Sequence, residues 1–196
     1  MKYYAVRCGR KTGIFTTWAE CQQQVTGYKC AEFKSFPIEQ EAQNYLSGKE
    51  DVLTPVDEGT LVAYVDGSFD AGKRIYGSGA VLLADGEEIC LKQMGDDPAL
   101  AEMRNVAGEI TACRMTIEYA LEHGYREVHI YYDYMGIEKW AKGEWKTNKD
   151  GTKAYKAFID SVKDKITIRF CKVQAHSNHK YNDMADTLAK ESIGIQ

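Results

Sequence analysis

The sequence predicts a protein of two mixed α/β domains, and three observations support this prediction. Apolar segments with the two-residue period of strands alternate with segments that have the period of a helix. Residues 49–60, KEDVLTPVDEGT, have neither period, and they contain a proline, a glycine and four acidic residues. The net charge also changes sign along the chain. We therefore predict a small domain over residues 1–48, an acidic linker over residues 49–60 and a larger domain over residues 61–196.

The first domain has a β-β-α-β-α pattern. Thr17 is followed three residues later by Glu20, the spacing of a capping box, so a helix begins there and Gly27 ends it. Pro37 suits the start of a second helix. The predicted elements are strands at 3–6, 13–15 and 31–36 and helices at 17–25 and 37–46.

The second domain has the order β-β-β-α-β-α-α-β-α, which is typical of a layered α/β fold. The continuous apolar run from Leu61 to Val65 favours a buried central strand. Asp85-Gly86 is a turn sequence between two further strands. The predicted strands are 61–66, 79–85, 87–94, 127–133 and 166–173, and the predicted helices are 105–123, 135–142, 152–163 and 182–193.

The distribution of charge is more informative than the net charge of −4. Residues 1–36 contain six basic and two acidic side chains, a net charge of +4, whereas the linker has a net charge of −3. A basic unit joined to an acidic remainder indicates a module that binds a polyanion.

Composition excludes several other classes of protein. No apolar run reaches 18 residues and no signal region precedes the first strand, so we expect a cytoplasmic protein with no membrane association. The six cysteines form no Cys-x-x-Cys pair, and we expect reduced thiols, mostly in the core.

Two aspartates of the second domain follow apolar strands. Asp66 and Asp133 each come at the carboxyl end of such a strand, where open α/β sheets bind their ligands. The alternative is that each aspartate only begins a turn. That alternative applies above all to Asp66, which precedes Gly67-Ser68.

Two further acidic residues lie on predicted helices. Glu109 is about 80° from the centre of the apolar stripe of its helix, so its side chain can reach the rim of the sheet. The alternative is an ordinary glutamate at the boundary of that stripe. Asp186 lies in the first turns of the last helix, where an acid can also simply stabilise the helix dipole, and Asp183 fits that second role better.

Carboxylates that gather in one place repel each other unless a cation binds between them. Ligands that are all oxygen select Mg²⁺ or Mn²⁺ over zinc. Two such ions about 4 Å apart can hold a scissile phosphate, one activating water and the other stabilising the leaving oxygen. Residue types alone do not show that the four acids meet.

Several motifs occur in a specific order along both domains. In the second domain they are Tyr64–Ser68, Asn105–Glu109, Tyr132-Asp133, and Ala175–His179 followed by Asn182–Asp186. In the first domain they are Tyr3–Arg7, Gly9–Phe15, Trp18–Cys21 and Phe33–Phe36. Together they resemble the type 1 ribonuclease H family, in the form with an N-terminal hybrid-binding domain. The resemblance covers nearly all of the chain except the linker.

The resemblance implies a fold and an activity. It implies a five-stranded mixed sheet of order 3-2-1-4-5, with strand 2 antiparallel and helices on its faces. It also implies Mg²⁺-dependent cleavage of the RNA strand of RNA–DNA hybrids, with two ions per site, Mn²⁺ as a substitute, and 3′-hydroxyl and 5′-phosphate ends. Asp66, Glu109, Asp133 and Asp186 are the implied metal ligands. His176 is the implied mobile histidine that assists proton transfer and product release.

The resemblance also implies contacts with the hybrid. The implied binding residues are Ser68, Asn105, Gly108, Trp140 and Trp145 in the second domain and Tyr4, Trp18, Phe33 and Lys34 in the first. Glycine at position 108 would allow close approach of the backbone to the substrate. The alternative for Trp140 and Trp145 is that they are half-buried helix anchors, and for Trp18 that it is a core residue of a very small domain.

The chain departs from the family pattern at two places near these motifs. Val106 stands where many relatives have a second asparagine, and Tyr134-Met135 follows Asp133 where many have a small polar residue and then Gln or Met. These departures concern how the substrate is held rather than the carboxylates.

Two other functions are compatible with the fold. One is a non-catalytic hybrid-binding protein, against which the intact set of four acids argues. The other is a nuclease that acts on DNA, such as a junction resolvase, against which the N-terminal module argues. We expect the hybrid duplex as the partner, no obligatory protein partner and a monomer.

Overall fold

The computed structural model describes residues 2–29, 31–36, 38–46, 59–84, 86–173 and 180–195. The chain forms two compact units, Met1–Thr54 and Pro55–Gln196. Each unit has its own sheet and its own core.

The N-terminal unit has the predicted β-β-α-β-α order. Its elements are β1 (Tyr3–Cys8), β2 (Gly13–Phe15), α1 (Trp18–Val25), β3 (Glu32–Phe36) and α2 (Glu39–Leu46). The strands form an antiparallel sheet of order β2-β1-β3. Val6, Cys21 and Val25 form its small core, and Pro37 lies outside the described residues.

Helix α1 begins at the predicted capping box. The backbone N–H of Glu20 donates to Thr17 Oγ1 at 3.3 Å, and the backbone N–H of Thr17 donates to Glu20 Oε2 at 3.2 Å. Two N–H groups that the helix itself cannot pair are satisfied in this way. Arg10 supports the other end of the helix, where its guanidinium donates to the carbonyls of Gln23 and Thr26 at 3.0 and 2.8 Å.

The C-terminal unit has a five-stranded mixed sheet. Its elements are β4 (Thr60–Asp70), β5 (Ile75–Ala84), β6 (Glu87–Gly95), α3 (Pro98–Ala101), α4 (Asn105–Glu122), β7 (Glu127–Tyr132), α5 (Gly136–Ala141), α6 (Asp150–Val162), β8 (Thr167–Lys172) and α7 (Lys180–Ser192). The sheet order is β6-β5-β4-β7-β8, with β5 antiparallel to both neighbours and β4, β7 and β8 parallel. Counted within this unit, the order is 3-2-1-4-5 with strand 2 antiparallel, so the predicted fold class is confirmed.

The two faces of this sheet are covered by different helices. Ile110, Cys113 and Ile117 of α4 share one core with Leu61 and its alternate neighbours on β4. Helix α7 packs on the other face of β4 and β5. The C-terminal half of β4 therefore lies between two helices.

Several details differ from the sequence predictions; strand β5, for example, begins at Ile75 rather than at residue 79. Strand β4 continues past Asp66 to Asp70, because Gly67, Ser68 and Phe69 remain paired with β5. The short helix α3 was not predicted, since a single turn capped by Asp97 has no apolar period. Helix α7 begins at Lys180, two residues earlier than expected.

The described cysteines are free thiols, but the prediction that they are mostly core residues is wrong. Cys21 and Cys113 are buried, whereas Cys8 and Cys171 are partly exposed and Cys90 is exposed on strand β6. Among the helices that the structure describes, none has the length and apolar character needed to cross a bilayer.

Candidate metal centre

The parallel pairing of β4 with β7 brings two aspartates to one level of the sheet. Tyr64 pairs with Tyr131, and their rings stack with centroids 4.6 Å apart. Asp66 and Asp133 each come two residues later, at the point where β7 ends and β4 loses this neighbour. Because β4 itself continues, Asp66 does not begin a turn, and that alternative is wrong.

Glycines let helix α4 lie directly on the sheet. A Cβ atom on Gly67 would lie 2.2 Å from the carbonyl oxygen of Asn105 and 2.4 Å from the backbone nitrogen of Glu109. A Cβ atom on Gly108 would lie 2.0 Å from the carbonyl oxygen of Gly77. Any other residue at either position would force the neighbouring backbone to shift. These close contacts place Glu109 beside Asp66, and they show that Gly108 is needed for helix–sheet packing.

Asp66, Glu109 and Asp133 form one cluster, in which a carboxylate oxygen from each residue lies within 4.8 Å of the others. Glu109 is only 2% exposed, so it is a buried residue and not an ordinary glutamate at the boundary of the stripe. Its Oε1 accepts a 3.3 Å hydrogen bond from Asn105 Nδ2, while its buried Oε2 has no hydrogen-bond partner among the residues that the structure describes. The backbone N–H of Gly67 donates to Asp66 Oδ1 at 2.7 Å.

Burial and mutual repulsion shift the acidity of this cluster. Burial, followed by the charges of Asp133 and Asp66, raises the pKa of Glu109 to about 9. Burial and the charge of Asp133 raise the pKa of Asp66 to about 7, although the hydrogen bond from Gly67 acts in the opposite direction. Both shifts mean that these two carboxyl groups resist ionisation when no cation lies between them.

The cluster fits a hard divalent cation. Its donor atoms are all carboxylate oxygens, which suit Mg²⁺ and Mn²⁺ rather than zinc. A cation would also supply a partner for the buried Oε2 of Glu109 and remove the repulsion among the three acids.

Asp186 lies near this cluster but outside the group of three. A Cβ atom on Gly79, the strand partner of Asp66, would be 2.1 Å from the carbonyl oxygen of Ala185, so α7 crosses the sheet next to Asp66. The charge of Asp186 contributes to the raised pKa of Asp66. Asp183, its rival in the sequence, is exposed in the first turn of α7, as expected for an acid at a helix N-terminus.

Lys190 is a neighbour of the cluster that sequence reasoning missed. Its Nζ lies 2.6 Å from Asp186 Oδ2, one helical turn away, and its positive charge also acts on Asp66. The hydrogen bond to Asp186 raises the pKa of Lys190. The signal was present in the sequence, because an acid and a lysine four residues apart on a helix are neighbours. His176 and His179 lie outside the described residues.

The predicted substrate residues of this unit lie on β4, α4, α5 and the segment that follows α5. Ser68 lies on the same side of β4 as Asp66, since side chains alternate along a strand. Asn105 is the first residue of α4 and is exposed. Trp140 packs partly against the core, as a helix anchor would, but Trp145 is 42% exposed; their rings lie 5.9 Å apart.

In the N-terminal unit, three of the four predicted residues lie together. The Trp18 ring centroid is 5.7 Å from that of Tyr4 and 5.7 Å from that of Phe33. Trp18 and Phe33 are 46% and 42% exposed, so the alternative that Trp18 is a core residue is wrong. Lys34 pairs with Ala5, so its side chain leaves the sheet on the face opposite to that of Tyr4.

Comparison with solved structures identifies the class of fold. The crystal structure of RNase H1 from Halobacterium salinarum matches with a TM-score of 0.57 and 21% sequence identity, covering 68% of this chain and 97% of that chain. The C-terminal unit thus has the RNase H fold, and a cluster of acidic residues lies at the carboxyl end of its central strands.

Sequence comparison gives the family. Residues 58–194 match the RNase H family model, and residues 2–46 match the model of the Ribonuclease H1 N-terminal domain. Ribonuclease H of Acetivibrio thermocellus is 31% identical over 142 residues, which covers 66% of this chain and 92% of that protein. The chain belongs to the ribonuclease H family and carries the N-terminal domain of its type 1 members. Human Ribonuclease H1 is 58% identical over 40 residues, and this match spans 20% of the chain but only 14% of the human protein.

Proposed function

We propose that the protein is an endoribonuclease that hydrolyses the RNA strand of RNA–DNA hybrids and leaves 3′-hydroxyl and 5′-phosphate ends. The observation that carries this proposal is the cluster of Asp66, Glu109 and Asp133, built into a fold of the ribonuclease H family. Asp186 completes the proposed set of metal ligands. Two Mg²⁺ ions are the proposed cofactors, with Mn²⁺ as a substitute.

When bound, the ions would activate a water molecule and stabilise the leaving oxygen. The residues of the chain perform the remaining tasks. Glu109 is held rigidly by burial and by its bond to Asn105. Lys190 holds Asp186 Oδ2, so we propose that Asp186 binds metal through its Oδ1 or by exchanging the contact with Lys190. His176 is proposed, from the resemblance alone, to transfer a proton and assist product release.

Selection of RNA for cleavage requires groups that recognise a 2′-hydroxyl beside the cut. We propose that Ser68 and Asn105 contact the RNA strand, because Ser68 shares a side of β4 with Asp66 and Asn105 is hydrogen-bonded to Glu109. Trp140 and Trp145 are proposed to contact the DNA strand. Gly108 is also proposed to approach the hybrid through its backbone, and its close packing on the sheet positions Glu109.

The N-terminal unit is proposed to bind the hybrid and to raise its effective concentration for the nuclease. The exposed rings of Tyr4, Trp18 and Phe33 support this role, because aromatic faces pack well on sugars and bases. Lys34 would add a phosphate contact. The boundaries 1–48, 49–60 and 61–196 remain our proposal for the two domains and the linker, and the cytoplasmic location and monomeric state remain predictions.

A panel of labelled duplexes tests the activity. RNA–DNA hybrid, double-stranded RNA and double-stranded DNA are each incubated with the full chain in Mg²⁺ or in EDTA. We expect cleavage of the RNA strand of the hybrid in Mg²⁺ only. Binding without cleavage would favour the non-catalytic alternative, and cleavage of DNA would favour the other class of nuclease.

A substitution with a matched control tests the role of the N-terminal unit. Trp18→Ala should weaken hybrid binding about 10-fold, since loss of one stacking contact costs roughly 1–3 kcal/mol. The rate at saturating substrate should change little. Tyr28→Ala is the control, because Tyr28 is also an exposed aromatic residue of this unit, at 40%. Equal effects of the two substitutions would contradict the proposed contact.

A further inference from the structure

Strand β6 (Glu87–Gly95) is a long, open edge of the sheet in the C-terminal unit. It pairs with β5 on one side, and no other strand that the structure describes pairs with its other side. All nine of its residues pair with β5 in unbroken register, and it contains no proline. Bulges and prolines are common devices that keep an edge strand from pairing with a further strand. Strand β6 thus offers a regular row of backbone N–H and C=O groups to an additional strand.

The two faces of β6 carry side chains of different character. On the side of α4, Ile89 and Leu91 are partly buried against the core. On the side of α7, Glu88, Cys90 and Lys92 follow one another at alternate positions. Cys90 is exposed, whereas free cysteines are among the residues most often buried. A strand added to this edge would cover the Cys90 thiol and extend the apolar row on the other face.

Ion pairs with α7 hold the two charged side chains on that face of β6. Lys92 Nζ lies 3.0 Å from Glu191 Oε2, and Glu88 Oε1 lies 2.5 Å from Lys180 Nζ. The side chains of Lys92 and Glu88 nevertheless remain 49% and 39% exposed. Each can therefore interact with a second charge that lies beyond the edge of the sheet.

The sequence of β6 is self-complementary about Cys90. If two copies of the strand meet antiparallel around a twofold axis at Cys90, Glu88 of each copy lies opposite Lys92 of the other. Ile89 likewise lies opposite Leu91, and the two Cys90 residues face each other. A register displaced by two residues places an apolar residue opposite a polar one, and a register displaced by four places like charges opposite each other. The register centred on Cys90 is therefore favoured on both faces.

We propose that two copies of this chain pair through β6, antiparallel and centred on Cys90, so that their five-stranded sheets join into one sheet of ten strands. The inference concerns assembly and does not depend on the proposed nuclease activity. A nine-residue edge is small beside the roughly 1,200–2,000 Å² that a stable complex buries, so the pairing is weak and depends on concentration. The monomer predicted from the sequence then predominates in dilute solution.

A short bismaleimide crosslinker tests the pairing on the full chain, because each thiol adds across one maleimide double bond and no oxidant is needed. Opposite residues on antiparallel strands have Cβ atoms about 4.5–5.5 Å apart, so the two Cys90 thiols lie within its reach. We expect a covalent dimer whose amount rises with protein concentration, and sedimentation equilibrium should show the same rise. Cys90→Ser should abolish the covalent dimer and leave the sedimentation result unchanged.

Charge variants that retain Cys90 test the register. Glu88→Lys and Lys92→Glu each place like charges opposite one another at two positions, so each variant alone should form at least about fivefold less covalent dimer. Mixing the two variants should restore a dimer that contains one copy of each, because positions 88 and 92 then carry opposite charges across the edge. Lost contacts with α7 cannot explain this recovery, since each variant in the mixture keeps its own altered residue.

Glu87→Lys is the matched control for Glu88→Lys. It changes the net charge by the same amount, but position 87 lies opposite the uncharged Gln93 in the proposed register, so the dimer should be retained. An equal loss of dimer in both variants would overturn the inference. A protein that sediments as a monomer at every concentration, crosslinking that persists in Cys90→Ser, or a mixture of Glu88→Lys and Lys92→Glu that forms no dimer would also overturn it.

Discussion

Replacement of Glu109 by glutamine should stabilise the metal-free protein, and the gain should grow with pH. Glu109 is buried, one of its oxygens has no hydrogen-bond partner in the described part of the chain, and carboxylate oxygens of two other acids lie within 4.8 Å. Glutamine has nearly the same shape as the protonated acid and carries no charge. The substitution therefore removes the electrostatic cost of the cluster without leaving a cavity.

The magnitude follows from the shift in the pKa of Glu109. Its pKa is 4.5 in the unfolded chain and about 9 in the folded protein, so folding takes up a proton between these values. The free energy of unfolding therefore falls as pH rises from about 4.5 to about 9. At pH 7 the accumulated cost is about 3 kcal/mol, from 1.36 kcal/mol per pH unit, and at pH 5 it is below about 1 kcal/mol. Asp66 contributes in the same direction up to its pKa of about 7.

Scanning calorimetry in EDTA at pH 5, 7 and 8 measures this difference. For a domain of this size, 3 kcal/mol corresponds to an increase in Tm of roughly 6–12 °C for Glu109→Gln at pH 7, and the increase should be much smaller at pH 5. Mg²⁺ or Mn²⁺ should then stabilise the unaltered protein more than the variant, and the ions should bind more tightly at higher pH because they displace protons.

Two results would refute this reasoning. One is a difference in Tm between Glu109→Gln and the unaltered protein that does not change between pH 5 and pH 8. The other is a Glu109→Gln variant that is less stable than the unaltered protein in EDTA at pH 7. Either result would mean that Glu109 is not held as a buried acid among other acids.

Two further substitutions test how the fold positions the cluster. Gly67→Ala places a Cβ atom 2.2 Å from the carbonyl oxygen of Asn105, so α4 must shift. We expect the free energy of unfolding, measured by urea denaturation, to fall by about 1–3 kcal/mol. We also expect weaker metal binding in calorimetric titration. Unchanged stability and metal affinity would contradict the close packing at Gly67. Tyr155→Phe removes the 3.1 Å hydrogen bond from the buried hydroxyl to the carbonyl oxygen of Ile137, and it should cost about 1–2 kcal/mol in the same urea experiment; a neutral effect would contradict the role of this bond in holding α5.

Much of the fold was predictable because its strands carry local signals. The apolar run before Asp66 and the alternating strand before Asp133 predicted both strands and the sheet edge where the two aspartates lie. Their order in the sheet came from the resemblance to a family, since strand patterns do not specify which strands pair. The extension of β4 past Asp66 was missed because Gly67 and Ser68 read locally as a turn, whereas pairing with β5 keeps them extended.

The parts of the site that were missed depend on contacts between distant segments. Gly67, Gly77 and Gly79 are required by backbones of α4 and α7 that approach within 2.0–2.2 Å of the positions their Cβ atoms would take. No local pattern shows such a requirement. The sequence also did not decide whether Trp18 is exposed, because a tryptophan of so small a domain could either fill its core or lie on its surface. Lys190 could have been predicted as a neighbour of Asp186, because the two residues are four positions apart on the last predicted helix.

The most direct test of the central claim is the effect of Asp133→Asn on cleavage and on binding, measured in parallel. Asp133 belongs to the carboxylate cluster, and asparagine keeps its size while removing one negative charge. We expect single-turnover cleavage of the RNA strand in Mg²⁺ to fall by at least about 100-fold, since electrostatic groups of this kind contribute about 3 kcal/mol or more to the transition state. Hybrid affinity in the same buffer should remain within about threefold of the unaltered protein. Retained cleavage by Asp133→Asn would contradict the assignment of the cluster as the metal centre of a hybrid-cutting nuclease.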